Sequence, residues 1–179
     1  MMLAENDKLP DTLFGGTAPF KNKPTLMVWL RHFGCRFYQE ARLLLPNLQK
    51  RLGDKGIDLI CVVQGTKEEA EVFWPFPGIA YIPDPEKLSY KMVGLEKTSL
   101  LKILFPDRTL KRRRDEVSER GCSMDMKGTA AKSSDILQLP GLALIDPDRK
   151  IIWINRGKHT GDLDLSEAAA DRIIALVHA

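Results

Sequence analysis

Cys35 is the residue of this 179-residue sequence whose surroundings best suit chemistry. It stands between an almost wholly apolar run at residues 25–30, typical of a strand buried on both faces, and a helical pattern that begins at Arg36. A thiol at the first turn of a helix meets unpaired backbone N–H groups and the positive end of the helix dipole, which stabilise thiolate over thiol. The sequence therefore favours a nucleophilic cysteine here over a buried, inert one.

Polar neighbours of Cys35 are candidates for a supporting role. Arg31, His32 and Arg36 lie in the same short segment, and we expect His32 and Arg36 to stabilise the thiolate. Tyr38 has two interpretations: its hydroxyl bonds a thiolate or an acidic ligand, or it is a buried helix residue with one polar partner. The second interpretation is favoured.

The other two cysteines have different settings. Cys61 lies in an apolar run and is predicted to be a core residue, whereas Cys122 lies in a polar stretch. Cys122 is either a thiol that resolves an oxidised Cys35 or, the favoured alternative, an incidental loop thiol. Three widely spaced cysteines exclude a complete disulfide framework and a paired zinc knuckle, and no metal site or cofactor motif is predicted.

Composition indicates an ordinary globular protein: 44% of residues are hydrophobic and 28% are charged. A net charge of +3 is too small to imply nucleic-acid binding. No apolar run approaches the ~18 residues of a membrane span, and the first ten residues lack the apolar core of a signal peptide. We expect a cytoplasmic protein with free thiols, and membrane association is not expected.

The order of patterns predicts a sheet covered by helices. After a lead-in at 1–24, one domain at 25–179 begins with strand, helix and strand, and ends with an antiparallel hairpin and a helix capped by Ser166. Thr66 and Glu69 form a predicted capping box. Residues 106–139 are polar, and their hydrophobic residues follow neither helical nor strand spacing. We therefore predict a loop insertion here, which is either functional or mobile.

A basic cluster at residues 111–114 follows the apolar helical segment 100–105. The apolar segment and the basic cluster together could dock on an anionic membrane surface or an acidic partner. Because Asp115, Glu116 and Glu119 follow at once, a solvated flank is the favoured interpretation.

Two segments carry a family resemblance. Arg31-His-Phe-Gly-Cys-Arg-Phe-Tyr-Gln-Glu-Ala-Arg42 resembles the active-site strand and helix of thioredoxin-fold proteins, and more narrowly of the peroxiredoxin-like branch of the alkyl-hydroperoxide-reductase/thiol-specific-antioxidant (AhpC/TSA) superfamily. Gln138-Leu-Pro-Gly-Leu-Ala-Leu-Ile-Asp-Pro147 resembles the strand that faces the active cysteine in that family. The resemblance implies a thioredoxin-like three-layer α/β fold, with a central mixed sheet flanked by helices.

The resemblance also implies site residues, with two departures. Pro140 takes the place of the proline, often cis, that packs beside the active cysteine; a plain strand-entry proline is the alternative. Where the family pattern has a second cysteine this chain has Tyr38, and where peroxiredoxins have Thr or Ser it has His32.

The implied function is a thiol-dependent oxidoreductase that reduces a peroxide or a disulfide through Cys35, without a Cys-x-x-Cys partner. An oxidised Cys35 would be reduced by an external thiol of the thioredoxin or glutathione type, or resolved by Cys122. The alternative is a catalytically degenerate module that binds a protein partner or a small ligand on the same face. Homodimer formation is left open.

Overall fold

The computed structural model describes residues 2–14 and 20–178, so part of the predicted lead-in lies outside the described residues. Its strands are β1 (Thr25–Trp29), β2 (Asp58–Val63), β3 (Ala80–Pro83), β4 (Gly141–Ile145) and β5 (Ile151–Arg156). Its helices are α1 (Arg36–Gly53), α2 (Lys67–Phe73), α3 (Leu88–Met92), α4 (Leu100–Leu104), α5 (Arg108–Glu119), α6 (Met126–Thr129) and α7 (Glu167–Val177). A 3-10 helix, Asp11–Phe14, precedes β1.

β1 is the central strand of a mixed sheet with the order β3-β2-β1-β4-β5. It runs parallel to β2, with Thr25 opposite Asp58, and antiparallel to β4, with Trp29 opposite Gly141. β3 joins β2 in parallel, and β5 completes an antiparallel hairpin with β4. The mixed sheet and the hairpin predicted from the sequence are confirmed.

The side chains of β1 enter two apolar clusters in alternation, as a strand buried on both faces requires. Leu26 and Val28 belong to the cluster that contains residues of α1, α5 and α7, and both α5 and α7 contact α1. Met27 and Trp29 belong to the cluster that contains Tyr90 of α3. Helices therefore lie on both faces of the sheet, which gives the predicted three layers.

α1 forms where the apolar residues recur at helical spacing. Ala41, Leu45, Leu48 and Leu52 lie on one side of the helix and are buried. The helix spans 18 residues and packs on β2, and its first turn follows the C-terminal end of the central strand β1 after a short connection.

The prediction of a loop over residues 106–139 is wrong for part of that range, because it contains α5 and α6. α5 begins at the N-cap Asp107, whose carboxylate accepts a hydrogen bond from the backbone N–H of Leu110. Only Leu110 and Val117 of its twelve residues are buried, so no apolar period is visible in the sequence. α5 is tied to α1 by the buried carboxylate of Glu40, which accepts hydrogen bonds from the guanidinium groups of Arg113 and Arg120.

The start of α2 and the lengths of the helices also bear on predictions from the sequence. The capping box of Thr66 and Glu69 is present at the start of α2. None of the described helices is both long enough and apolar enough to cross a membrane.

Candidate active site

Cys35 is the N-cap residue of α1, as the sequence predicts. Its backbone is extended, with φ −74° and ψ 136°, and its side chain forms no capping hydrogen bond. Its carbonyl oxygen accepts the N–H of Gln39, so the helical hydrogen-bond ladder starts at Cys35. The thiol is 6% exposed and lies beside the first turn, where backbone N–H groups favour negative charge.

Arg31 supplies the most direct contact with the sulfur. Its Nε donates a hydrogen bond to Sγ of Cys35 over 3.2 Å, and its Nη2 donates to the carbonyl oxygen of Ile136 over 2.7 Å. Its Nη1 is buried and has no hydrogen-bond partner among the described residues. A fixed cationic donor is therefore directed at the sulfur, and both N–H groups of its Nη1 remain unpaired among the described residues.

Arg114 places a second cation in the electrostatic environment of Cys35. Burial lowers the pKa of its guanidinium, and the charges of Arg36 and Arg31 lower it further. The electrostatic interaction with Cys35 raises this pKa, but by less. Its Nη2 donates to the carbonyl oxygen of Ile103 over 2.9 Å, which anchors it between α5 and α4. In the sequence, Arg114 belongs to the basic cluster at 111–114 that is predicted to be a solvated flank, and no local pattern indicates its relation to Cys35.

The surroundings of His32 and Arg36 argue against the thiolate-stabilising role that the sequence predicts for them. Burial and the charge of Arg31 lower the pKa of His32 from 6.5 to about 4, against a smaller opposing effect of Asp135. His32 is therefore neutral at neutral pH and brings no positive charge to the site. Arg36 donates from Nη1 to the hydroxyl of Ser118 on α5, over 2.9 Å, rather than to the sulfur.

Pro140 lies immediately before β4. Because Trp29 pairs with Gly141 in antiparallel register, Pro140 lies next to Leu30, where the connection to Cys35 begins. Its carbonyl oxygen accepts the N–H of Gly157. No peptide bond of the described residues is cis, so Pro140 is trans. Its role in shaping a pocket beside Cys35 stays a prediction.

Cys122 lies just beyond the C-terminal end of α5 and is buried. Burial raises the pKa of its thiol and Glu40 raises it further, with Arg120 opposing. It borders a cleft of about 480 Å³ whose walls also include Gln39 and Arg42 of α1. Cys35, Cys61 and Cys122 are all free thiols.

Cys61 and Tyr38 occupy the core. Cys61 is a fully buried residue of β2, and burial raises the pKa of its thiol. The hydroxyl of Tyr38 donates to the carbonyl oxygen of Phe73 over 2.8 Å, and burial raises its pKa as well. This contact agrees with the favoured interpretation of Tyr38 as a buried helix residue with one polar partner.

The turn before Cys35 is covered by the segment that contains α6. The backbone N–H of Asp125 donates to the carbonyl oxygen of Gly34 over 3.0 Å. A Cβ on Gly34 would lie 2.1 Å from Oγ1 of Thr129, and one on Gly128 would lie 2.6 Å from the backbone nitrogen of Gly34. Two glycines thus permit close backbone packing of the α6 segment against the turn that precedes the buried Cys35.

No metal-binding arrangement accompanies the thiol. Within residues 2–14 and 20–178, no group of three or more His, Cys, Asp and Glu side chains is placed to hold an ion. The chemistry that the described site offers is that of a thiol with cationic support.

Comparison with known sequences gives one family match. The family described as AhpC/TSA antioxidant enzyme matches residues 44–159, more than half of the chain. The match begins after Cys35 and includes Cys61 and Cys122, so it does not itself identify Cys35 as a site residue. A search of the curated protein sequences found no match.

Solved structures share the fold over nearly the whole chain. A cysteine-to-serine mutant of PrxQ from Xylella fastidiosa has a TM-score of 0.62 at 10% identity, covering 99% of this chain and 97% of its own. A putative thiol:disulfide interchange protein DsbE from Chlorobium tepidum has a TM-score of 0.58 at 16% identity, covering 98% and 99%. A thiol peroxidase from Chromobacterium violaceum has a TM-score of 0.57 at 16% identity, covering 100% and 90%. These likenesses confirm the predicted thioredoxin-like fold.

Proposed function

The chain belongs to the AhpC/TSA antioxidant enzyme family, within the peroxiredoxin and thioredoxin-like superfamily of thiol-dependent oxidoreductases, and we propose that it reduces peroxides with Cys35 as its nucleophile. The observation that carries the proposal is the hydrogen bond from Nε of Arg31 to Sγ of Cys35 at the start of an 18-residue helix. A cationic donor and a helix N-terminus both stabilise a thiolate. Within the part of the chain that the structure describes, neither Cys61 nor Cys122 accepts a hydrogen bond from a cationic side chain or caps the start of a helix.

The first step transfers one oxygen atom. The Cys35 thiolate attacks the terminal oxygen of a hydroperoxide, an S–O bond forms, the O–O bond breaks, and the alkoxide or hydroxide leaves and takes up a proton. The sulfur is oxidised by two electrons to a sulfenic acid while the peroxide is reduced to an alcohol or water. The spare Nη1 of Arg31 is a donor that could hold a peroxide oxygen beside the sulfur.

An external thiol completes the cycle in this proposal. Its sulfur attacks the sulfenic acid, water leaves, and a mixed disulfide forms; a second thiol then releases Cys35 as a thiol. We favour this route over resolution by Cys122, because Cys122 is buried and burial raises the pKa of its thiol, which disfavours the thiolate that attacks a sulfenic acid. Thioredoxin-type and glutathione-type thiols are the two reductant classes to compare.

Peroxide consumption by matched cysteine variants tests the proposal. We expect Cys35→Ser to abolish turnover of hydrogen peroxide or an organic hydroperoxide with dithiothreitol as the reductant. Cys122→Ser is the matched control and should retain most of the activity. Loss of turnover in both variants would instead support resolution by Cys122. Full activity of Cys35→Ser would refute the assignment of the nucleophile.

A binding module without redox chemistry is the alternative from the sequence. It predicts that wild-type protein consumes no peroxide and no disulfide substrate with any thiol, while a partner or ligand still binds on the Cys35 face. The same assay therefore separates the two functions.

A further inference from the structure

Exposed apolar side chains cluster on α4. Leu100, Leu101, Leu104 and Phe105 are each more than half exposed, with Leu101 at 69% and Phe105 at 76%. Leu100 and Leu104, and likewise Leu101 and Phe105, are four residues apart, so each pair lies on the same side of the helix. Contiguous apolar surface of this kind on a soluble fold marks an interaction site more often than chance exposure does.

Basic side chains extend the same surface along the chain. Lys102, Arg108 and Lys111 are exposed, and none forms a salt bridge with another described residue. The α5 segment that bears two of these cations is joined to α4 by the hydrogen bond from Arg114 to the carbonyl oxygen of Ile103. Exposed apolar and cationic side chains therefore occur together within residues 100–111, a stretch of two helices that one hydrogen bond ties to each other.

Two acidic side chains near these cations, those of Asp107 and Glu116, have partners of their own. Asp107 caps the N-terminus of α5 with its carboxylate. Glu116 lies within salt-bridge distance of Arg112 and Arg113, at 3.5 and 3.7 Å. Asp115 and Glu119 are exposed and lie beyond residue 111, whereas residues 100–111 carry the cations Lys102, Arg108 and Lys111 and one carboxylate, that of Asp107, so this stretch is basic on its own.

We propose that this exposed surface of residues 100–111, the α4 surface, docks peripherally on an anionic lipid bilayer. Leu101 and Phe105 would enter the interfacial region while Lys102, Arg108 and Lys111 contact acidic headgroups. Two copies of the chain joined through this surface would bring like charges together, which disfavours self-association. A bilayer also accepts protruding apolar side chains without needing a complementary groove.

Sedimentation with vesicles tests the proposal. Wild-type protein should bind vesicles that contain phosphatidylserine, bind pure phosphatidylcholine vesicles much more weakly, and be released by salt. The double variant Leu101→Glu/Phe105→Glu should lose binding. Val72→Glu is the matched control, since Val72 is 75% exposed on α2, and it should bind as wild type does.

Variants that remove single positive charges provide a second test of vesicle binding. Lys111→Gln and Arg108→Gln should each weaken binding to anionic vesicles about fivefold, as expected for one cation near an acidic surface. The control Lys91→Gln, at an exposed lysine on α3, should have no effect.

Three outcomes would overturn the proposal. These are equal binding to both vesicle types, binding that survives Leu101→Glu/Phe105→Glu, or a wild-type dimer in size-exclusion chromatography that this double variant dissociates. The last would assign the surface to a second copy. Cys35→Ser should bind vesicles normally, so the docking proposal and the redox proposal can fail separately.

Discussion

Arg31 donates a hydrogen bond from Nε to Sγ of Cys35, four residues further along the chain, over 3.2 Å. Both residues are buried, and the same guanidinium is held by the carbonyl oxygen of Ile136 on a distant segment. A donor fixed in advance stabilises negative charge on the sulfur without having to reorganise during reaction. In the proposed mechanism, Arg31 rather than His32 or Arg36 is therefore the donor that contacts the reacting sulfur.

Replacement of Arg31 should slow the reactions of Cys35. A hydrogen bond to a charged group contributes about 1.5–3 kcal/mol, so Arg31→Met should reduce the alkylation rate by about 10- to 100-fold at neutral pH. A neutral alkylating reagent and mass spectrometry of the Cys35 peptide provide the measurement. Arg36→Met is the control, since Arg36 donates to Ser118, and its rate should stay near that of wild type. Equal losses in the two variants would refute the special position of Arg31.

His32 should make the fold sensitive to acid. Its pKa is lowered from 6.5 to about 4, chiefly by burial, so the unfolded chain binds more protons between these values. Unfolding free energy should therefore fall as the pH is lowered from 6.5 towards 4, by up to about 3 kcal/mol. Urea titrations of wild type and His32→Asn at pH 7 and pH 4.5 measure the difference. The variant should lose less stability than wild type over this interval, and an equal loss in both proteins would show that His32 is not buried in its neutral form.

Gly128→Ala should open the cover over Cys35. Its Cβ would lie 2.6 Å from the backbone nitrogen of Gly34 and 2.7 Å from the carbonyl carbon of Phe33, so α6 must move. We expect faster alkylation of Cys35 and a loss of stability of about 1–3 kcal/mol. Gly53→Ala is the matched control, because a Cβ there meets nothing within 4 Å. Unchanged alkylation and unfolding for Gly128→Ala would contradict the close contact.

Tyr38→Phe should affect stability and leave the chemistry unchanged. The lost hydroxyl donates to the carbonyl oxygen of Phe73, and a hydrogen bond of this kind contributes about 1 kcal/mol to the free energy of unfolding. Chemical denaturation measures this loss, and the rate of Cys35 oxidation by peroxide should match wild type. A variant that folds with normal stability but reacts tenfold more slowly would reassign Tyr38 to the active site.

The position of Cys35 was predictable because it depends on local patterns. The apolar run of β1 and the helical spacing of apolar residues in α1 both involve residues close together in the sequence. These two patterns place the thiol at the start of α1. The hairpin of β4 and β5 was predictable for the same reason.

The partners of Cys35 were not predictable in the same way. The Arg31 contact depends on the directions of side chains in an irregular connection, and the low pKa of His32 depends on burial by distant segments. α5 has only two buried residues, and Glu40 binds arginines 73 and 80 positions away, so nothing local in the sequence indicates either feature.

Trapping of the oxidised cysteine tests the central claim most directly. Reduced wild-type protein is treated with one equivalent of hydroperoxide in the presence of a sulfenic-acid-specific dione, and each cysteine peptide is measured by mass spectrometry. We expect a dione adduct on Cys35, in wild type and in Cys122→Ser alike, with Cys61 and Cys122 unmodified. Absence of an adduct on Cys35 in both proteins, with its thiol still free after the treatment, would contradict the account.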